Sequence, residues 1–144
     1  MNNDEMIGKA IDVLKNVGIV KTDKQDKEYI VKSFRSQISS FGAAVEMGSL
    51  LSAVAFFSNK GSSSIDRPKL MKAIYLLIVE TEAKDCDEKA LLMYVAHNHS
   101  DRSLKRIVIN AAVAVKLAMN AYDLREKDKE SETEGGAYDA NKES

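Results

Sequence analysis

His97 and His99 are the two histidines of the chain, and they stand two positions apart, with Asp101 close behind. Imidazoles at that spacing can share a metal ion, but a protein zinc site needs three or four ligands, and Cys86 is the single thiol. The pair also falls between two helical patterns, where polar residues serve as caps, so no metal centre is expected. The serines form no Gly-x-Ser-x-Gly elbow, and no general base sits beside one. Glu80, Glu82 and Asp85 lie together at a polar helix end, where a solvated face accounts for them. No cofactor site or catalytic constellation emerges, and the chain is not expected to be an enzyme.

The basic residues say more. Arg67, Lys69 and Lys72 open one helical pattern, and Arg102, Lys105 and Arg106 open another. Lys32, Arg35 and Lys60 flank the apolar run FGAAVEMGSLLSAVAFFSNKG, from Phe41 to Gly61. A cation at an exposed helix N-terminus opposes the macrodipole, at a cost of up to about 1 kcal/mol. A phosphate placed there is attracted by the side chain and by the free N–H groups together. From charge alone, a polar face neutralised by nearby acids is the simpler account of these residues.

The elements that would position them follow from periodicity. Ile7, Ala10, Ile11, Leu14 and Val17 form one helical stripe, with Gly18 as its stop. KTDKQDK is polar and reads as a loop or as the first turn of a second helix. That helix is expected to start near Asp26, with Ile30, Phe34, Ile38, Phe41 and Val45 on one face. A third starts at Asp66 with Pro68 in its first turn, and carries Leu70, Ile74, Leu77 and Ile78. A short fourth, capped by Asp87, turns Leu91, Leu92 and Val95 inward. The fifth, capped by Ser100 or Asp101, carries Leu104, Ile107, Val108, Ala111, Val115, Ala118, Met119 and Tyr122. No alternating strand pattern and no internal repeat appear, so the expected fold is all-α, a single compact bundle of about five or six helices.

With 144 residues, 30% charged and 44% hydrophobic, the chain has the size and balance of one globular domain. One cysteine excludes an intramolecular disulfide, and acids near the N-terminus stand where a signal peptide needs bases, so a cytoplasmic location is expected. The charge is uneven. Residues 123–144 hold eight acids against four bases, a net −4, which leaves +3 for the first 122 residues of a chain whose total is −1. The domain is expected to span 1–128, with a disordered acidic tail over 129–144.

The run from Phe41 to Gly61 admits three readings. A membrane span fails on length: only thirteen uncharged residues separate Glu46 from Lys60, against the roughly 20 a bilayer requires. A phosphate loop fails because Gly42 and Gly48 are not followed by Gly-Lys-Ser/Thr and no strand precedes them. What remains is a central core helix, apolar nearly all round through Met47, Leu50, Leu51, Val54, Phe56 and Phe57, either separate or continuous with the second helix. Lys60 and Gly61 are expected to close it, as a last-turn cation and a C′ glycine.

The stretch YIVKSFRSQISSFGAAVEMGSLLSAVAFFSNKG resembles the signature region of the small subunit of the Cmr complex, the type III-B CRISPR effector. That family joins a basic helix to a Gly-Leu-rich turn and an apolar run ending Ala-Phe-x-x-x-Lys-Gly, matched here by Ala55, Phe56, Lys60 and Gly61. A C-terminal helix entered through a basic segment, DRSLKRIVINAAVAVKLAMNAY, is similar too. The chain departs from the pattern in Phe41-Gly42, where many members carry proline, in the serine between Gly48 and Leu50, and in its acidic tail. The resemblance implies a non-catalytic subunit that stacks with neighbouring copies of itself and other effector subunits along the guide–target RNA duplex. Lys32, Arg35, Lys60, Arg67, Lys69, Lys72, Arg102, Lys105 and Arg106 would then be its RNA-backbone contacts. The competing expectation is a generic helical protein–protein interaction module without nucleic-acid binding.

Overall fold

The computed structural model describes residues 2–62 and 64–126. The acidic tail expected over 129–144 lies outside the described residues, as do the last two positions of the expected domain. Six helices form the bundle: α1 (Asn3–Asn16), α2 (Ser33–Met47), α3 (Leu50–Phe57), α4 (Arg67–Ile78), α5 (Ala90–His97) and α6 (Leu104–Ala118). A small sheet of three strands completes it, with β1 (Lys21–Thr22), β2 (Glu28–Val31) and β3 (Asp123–Arg125) in that spatial order.

The helix α6 is the axis of the bundle, packed against α1, α2 and α4. Its inward face buries Ala111, Ala112, Ala114 and Ala118, and these short side chains let three neighbours approach closely. Around them Leu14, Phe41, Leu70, Ile74, Leu91 and Val108 are fully enclosed. Each such large side chain contributes about 1.5–3 kcal/mol on burial. Phe41 meets Phe57 edge-to-face at 5.3 Å, which ties α3 to α2. Helices α2 and α6 run antiparallel, since Arg35 meets Asn120 at one end and Glu46 meets Arg106 at the other.

The expected first helix is observed. Asn2 and Glu5 form a reciprocal capping box at its start. It stops at Gly18, whose φ of +85° is strained for any side-chain-bearing residue. The KTDKQDK segment is neither a plain loop nor a helical turn: it makes an antiparallel hairpin between β1 and β2. Asp23 organises the bend, its Oδ1 accepting from the Gln25 and Lys27 N–H groups at 2.8 and 3.0 Å. Asp26 takes φ +64° in the same bend, so the second helix starts at Ser33 rather than near Asp26, and Ile30 is buried from a strand.

The apolar run is corrected more deeply. It is not one core helix but the end of α2, a break, and the separate helix α3. At the break a Cβ on Gly48 would stand 3.1 Å from the Ala44 carbonyl, so glycine suits the turn, and Ser49 caps α3 by accepting from the Ser52 N–H. Only Ala53, Val54 and Phe57 of α3 are buried, whereas Phe56 is 62% and Met47 86% exposed. Gly61 is not the C′ residue either, because α3 ends at Phe57; Gly61 sits at φ +59° in a loop turned by Asn59.

The later caps also shift. Asp66 makes no side-chain cap bond at α4, although Pro68 does sit in its first turn. Asp87 accepts from the Lys89 N–H just ahead of α5. Asp101 accepts from the Ser103 N–H and hydroxyl before α6, and this draws its carboxyl below the ordinary range. Among the described residues, no helix is long and apolar enough to cross a membrane.

Candidate nucleic-acid interface

The nine basic residues singled out by sequence fall in separate places. Lys60 and Lys69 line one open cleft of about 590 Å³ between the hairpin, the start of α2 and the α3–α4 loop. Gly18, Lys21, Ser33, Asp66 and Glu126 share its walls. Lys32 stands at the rim, its Nζ 3.3 Å from Glu126 Oε2 in an ion pair open to water on both sides. Lys69 donates to the Gly18 carbonyl at 3.3 Å and lies 4.0 Å from Asp66. Lys32 and Lys69 thus each have a carboxylate partner at 3.3–4.0 Å. The Lys32–Glu126 contact, exposed and long, holds its cation weakly.

The remaining six do not join this cleft. Arg67 reaches back over the end of α3, its Nη2 donating to the Asn59 and Lys60 carbonyls at 2.6 and 3.1 Å. Its guanidinium stacks on Phe56 at 4.7 Å and Phe57 at 5.4 Å. This is the cation that serves the α3 C-terminus, the role expected of Lys60. Lys105 donates to the Gly48 carbonyl at 3.4 Å, beyond the C-terminal end of α2, and Arg106 lies 4.0 Å from Glu46. The two cations that oppose the dipole of α6 therefore meet the negative end of α2, where they are favourable. Arg102 is exposed on the turn before them. Arg35 donates to Asn120 Oδ1 at 2.8 Å.

Lys72 belongs to a second open cleft, shared with Lys9, Asp12, Glu82 and Lys84 along the α1–α4 seam. Lys21, Lys9 and Lys84 were missed by the sequence reading. Each lies outside the basic runs at the helix starts, and only the fold brings it beside another lysine.

The hairpin beside the first cleft is tied to β3. Arg125 bonds Asp23 at 3.0 Å and Asp123 at 2.9 Å, and its guanidinium covers the Tyr29 ring at 4.4 Å. The Asp23 carboxyl is held below its ordinary range, first by the Lys27 N–H and also by Arg125. β3 pairs in parallel with β2, so the chain leaves the sheet at Glu126, on the cleft wall. Lys15 bonds Glu28 at 2.7 Å and ties α1 to the hairpin; that bond raises the Lys15 pKa. Tyr122 donates to the Ile11 carbonyl at 2.7 Å, and burial raises its phenol pKa.

The histidines turn inward on their own helix end: His97 Nδ1 lies 2.8 Å from the Met93 carbonyl and His99 Nδ1 3.0 Å from that of Ala96. Among the described residues, no group of three His, Cys, Asp or Glu side chains is placed to hold a metal. Burial raises the pKa of the Cys86 thiol, which disfavours the reactive thiolate. Comparison with known protein families, curated proteins and solved structures finds no match to this chain.

Proposed function

We propose that this protein is a non-catalytic structural subunit of an RNA-guided effector of the type III-B CRISPR class. In this reading it contacts the RNA backbone through the cleft of Lys21, Lys60 and Lys69, with Lys32 at its rim. The observation that supports the RNA contact is the convergence of Lys21, Lys60 and Lys69, from distant segments, on one open cleft, with Lys32 paired to Glu126 of its wall. The ammonium groups of Lys32 and Lys69 are engaged by long contacts of 3.3–4.0 Å, which phosphate oxygens can replace. Such contacts position a nucleic acid without reading its bases, so binding is salt-sensitive and indifferent to sequence. The effector assignment rests on the resemblance of the run from Tyr29 to Gly61. The protein works in the cytoplasm, beside neighbouring copies and other effector subunits.

The test is recovery of the tagged protein from its host. CRISPR RNA and several effector subunits co-purify if the reading holds; their absence overturns it.

A second reading, a protein-binding helical module, is favoured by the exposure of Met47, Leu51 and Phe56 around the α2–α3 break. Replacing those three by polar residues then abolishes partner capture while RNA binding never appears.

A further inference from the structure

We propose that the cleft along the α1–α4 seam is a binding site for a nucleoside monophosphate. It lies apart from the hairpin cleft, and nothing in it depends on the RNA reading.

Three observations carry it, one for each part of such a ligand. The first concerns the phosphate. Lys9 of α1, Lys72 of α4 and Lys84 of the 3₁₀ turn Ala83–Asp85 converge from three elements on one concave surface. Lys9 and Lys72 are half-buried. Among the described residues, no hydrogen bond or ion pair engages the ammonium group of any of the three. Like charges gathered in one partly desolvated cleft repel, and a phosphate dianion relieves that repulsion. Lysine meets phosphate as a point charge on a flexible stem, so three such stems can close on one group.

The second concerns the base. Val13 stands one turn after Lys9 on α1, and Leu76 one turn after Lys72 on α4. Both belong to the core, and their outer edges line the cleft between the lysines. A planar, weakly polar ring can lie on that apolar floor while its phosphate reaches the ammonium groups. The cleft measures about 590 Å³, inside the span of about 300–1,000 Å³ that small-molecule sites occupy.

The third concerns the sugar. Asp12 and Glu82 also line the cleft, and neither forms an ion pair with its lysines. A carboxylate only accepts hydrogen bonds, which suits the 2′ and 3′ hydroxyls of a ribose. A bare phosphate would meet repulsion from these two acids and gain nothing from the floor. A nucleoside monophosphate uses all three parts.

The experiment follows the backbone amides of the isotope-labelled full chain by NMR, at constant ionic strength, during titration with adenosine monophosphate, inorganic phosphate or adenosine. The monophosphate should give saturable shifts at Lys9, Asp12, Leu76 and Lys84, with phosphate and adenosine each binding at least about 10-fold more weakly. Lys9→Met with Lys72→Met keeps both stems, removes both charges and should weaken the monophosphate about 10- to 100-fold. Lys84→Ala, on an exposed turn, should weaken it about 3- to 10-fold and serves as the test if the double variant does not fold. Asp12→Asn with Glu82→Gln should erase the preference for the ribose form over its 2′,3′-dideoxy analogue. Lys32→Glu, Lys60→Glu and Lys69→Glu together, all in the other cleft, should change the affinity less than about 2-fold. Absence of saturable shifts, phosphate binding as strong as that of the monophosphate, unchanged affinity in the lysine variants of this cleft, or an equal loss from the triple in the other cleft overturns the proposal.

Discussion

The lysine cleft and the α2–α6 corner are both built from cations near helix ends, yet they use them in opposite ways. At the corner, Lys105 meets the Gly48 carbonyl and Arg106 meets Glu46, so the charge of α6's first turn is spent on the end of its antiparallel neighbour. In the cleft, Lys32 meets the exposed Glu126 carboxylate, Lys69 meets Asp66 and the Gly18 carbonyl, and Lys60 shares the wall from a third segment. The contacts themselves are of similar length, 3.3–4.0 Å in both places. The difference is that the corner cations come from one helix start and face a helix end, whereas the cleft cations come from separate segments and line an open cleft. Arg67 belongs with the first kind. It starts a helix, as Lys69 nearly does, but it is turned back onto two carbonyls and two phenyl rings.

The strongest way to break this comparison is charge reversal. Lys32→Glu, Lys60→Glu and Lys69→Glu together should weaken RNA association on the order of 100-fold and lower the salt slope by about 2 to 3, measured by anisotropy across a salt series. Circular dichroism should show the helices intact, because none of these side chains is buried. The same reversal of Arg102, Lys105 and Arg106 should change RNA affinity less than about 3-fold. Equal losses from the two triples would erase the distinction.

Arg67→Ala sharpens it next. Losing two charge-assisted bonds to carbonyls should cost about 1–3 kcal/mol of stability in urea denaturation. The folded variant should bind RNA as the parent does.

The cleft wall should also respond to acid. Asp23 is held deprotonated in the fold, so it contributes stability above the ordinary carboxylate pKa near 3.9 that is lost as pH falls through its lower folded value. Asp23→Asn should flatten that part of the stability–pH profile; an unchanged profile would show that the bonds of the Asp23 carboxylate to the Lys27 N–H and Arg125 do not stabilise the fold. The smallest effect is Lys105→Ala, with a loss of about 0.3–1 kcal/mol from the α2 terminus at low salt, shrinking as salt is added.

Much of the bundle was legible because its stripes are long and regular. The spacing on α1, α4 and α6 places Leu14, Leu70, Ile74 and Val108 in the core, where they are found. The sheet was not legible. Its strands are two to four residues long, and β2 buries Tyr29 and Ile30 in succession, which destroys the alternation that marks a half-buried strand. Ile30 also fits the helical ladder of Phe34, Ile38, Phe41 and Val45, so it was drawn into the helix that follows. The apolar run misled for a related reason. Uniform apolarity over Leu50–Phe57 suggests burial on every side, but a short helix lying over α2 and α5 covers only one face and leaves Phe56 to solvent. At the candidate interface, the charges were visible and their grouping was not. Lys21, Lys60 and Lys69 share a cleft only because the hairpin folds beside the α3–α4 loop, a nonlocal contact with no periodic signal.

The most direct measurement is photocrosslinking of the unaltered chain to thiouridine-containing RNA, with the attached peptides identified by mass spectrometry. The account predicts adducts in the segments holding Lys21, Lys32, Lys60 and Lys69, suppressed together as salt rises. Adducts confined to Arg102–Arg106 or to the Lys9, Lys72 and Lys84 cleft, or none at all, would contradict it.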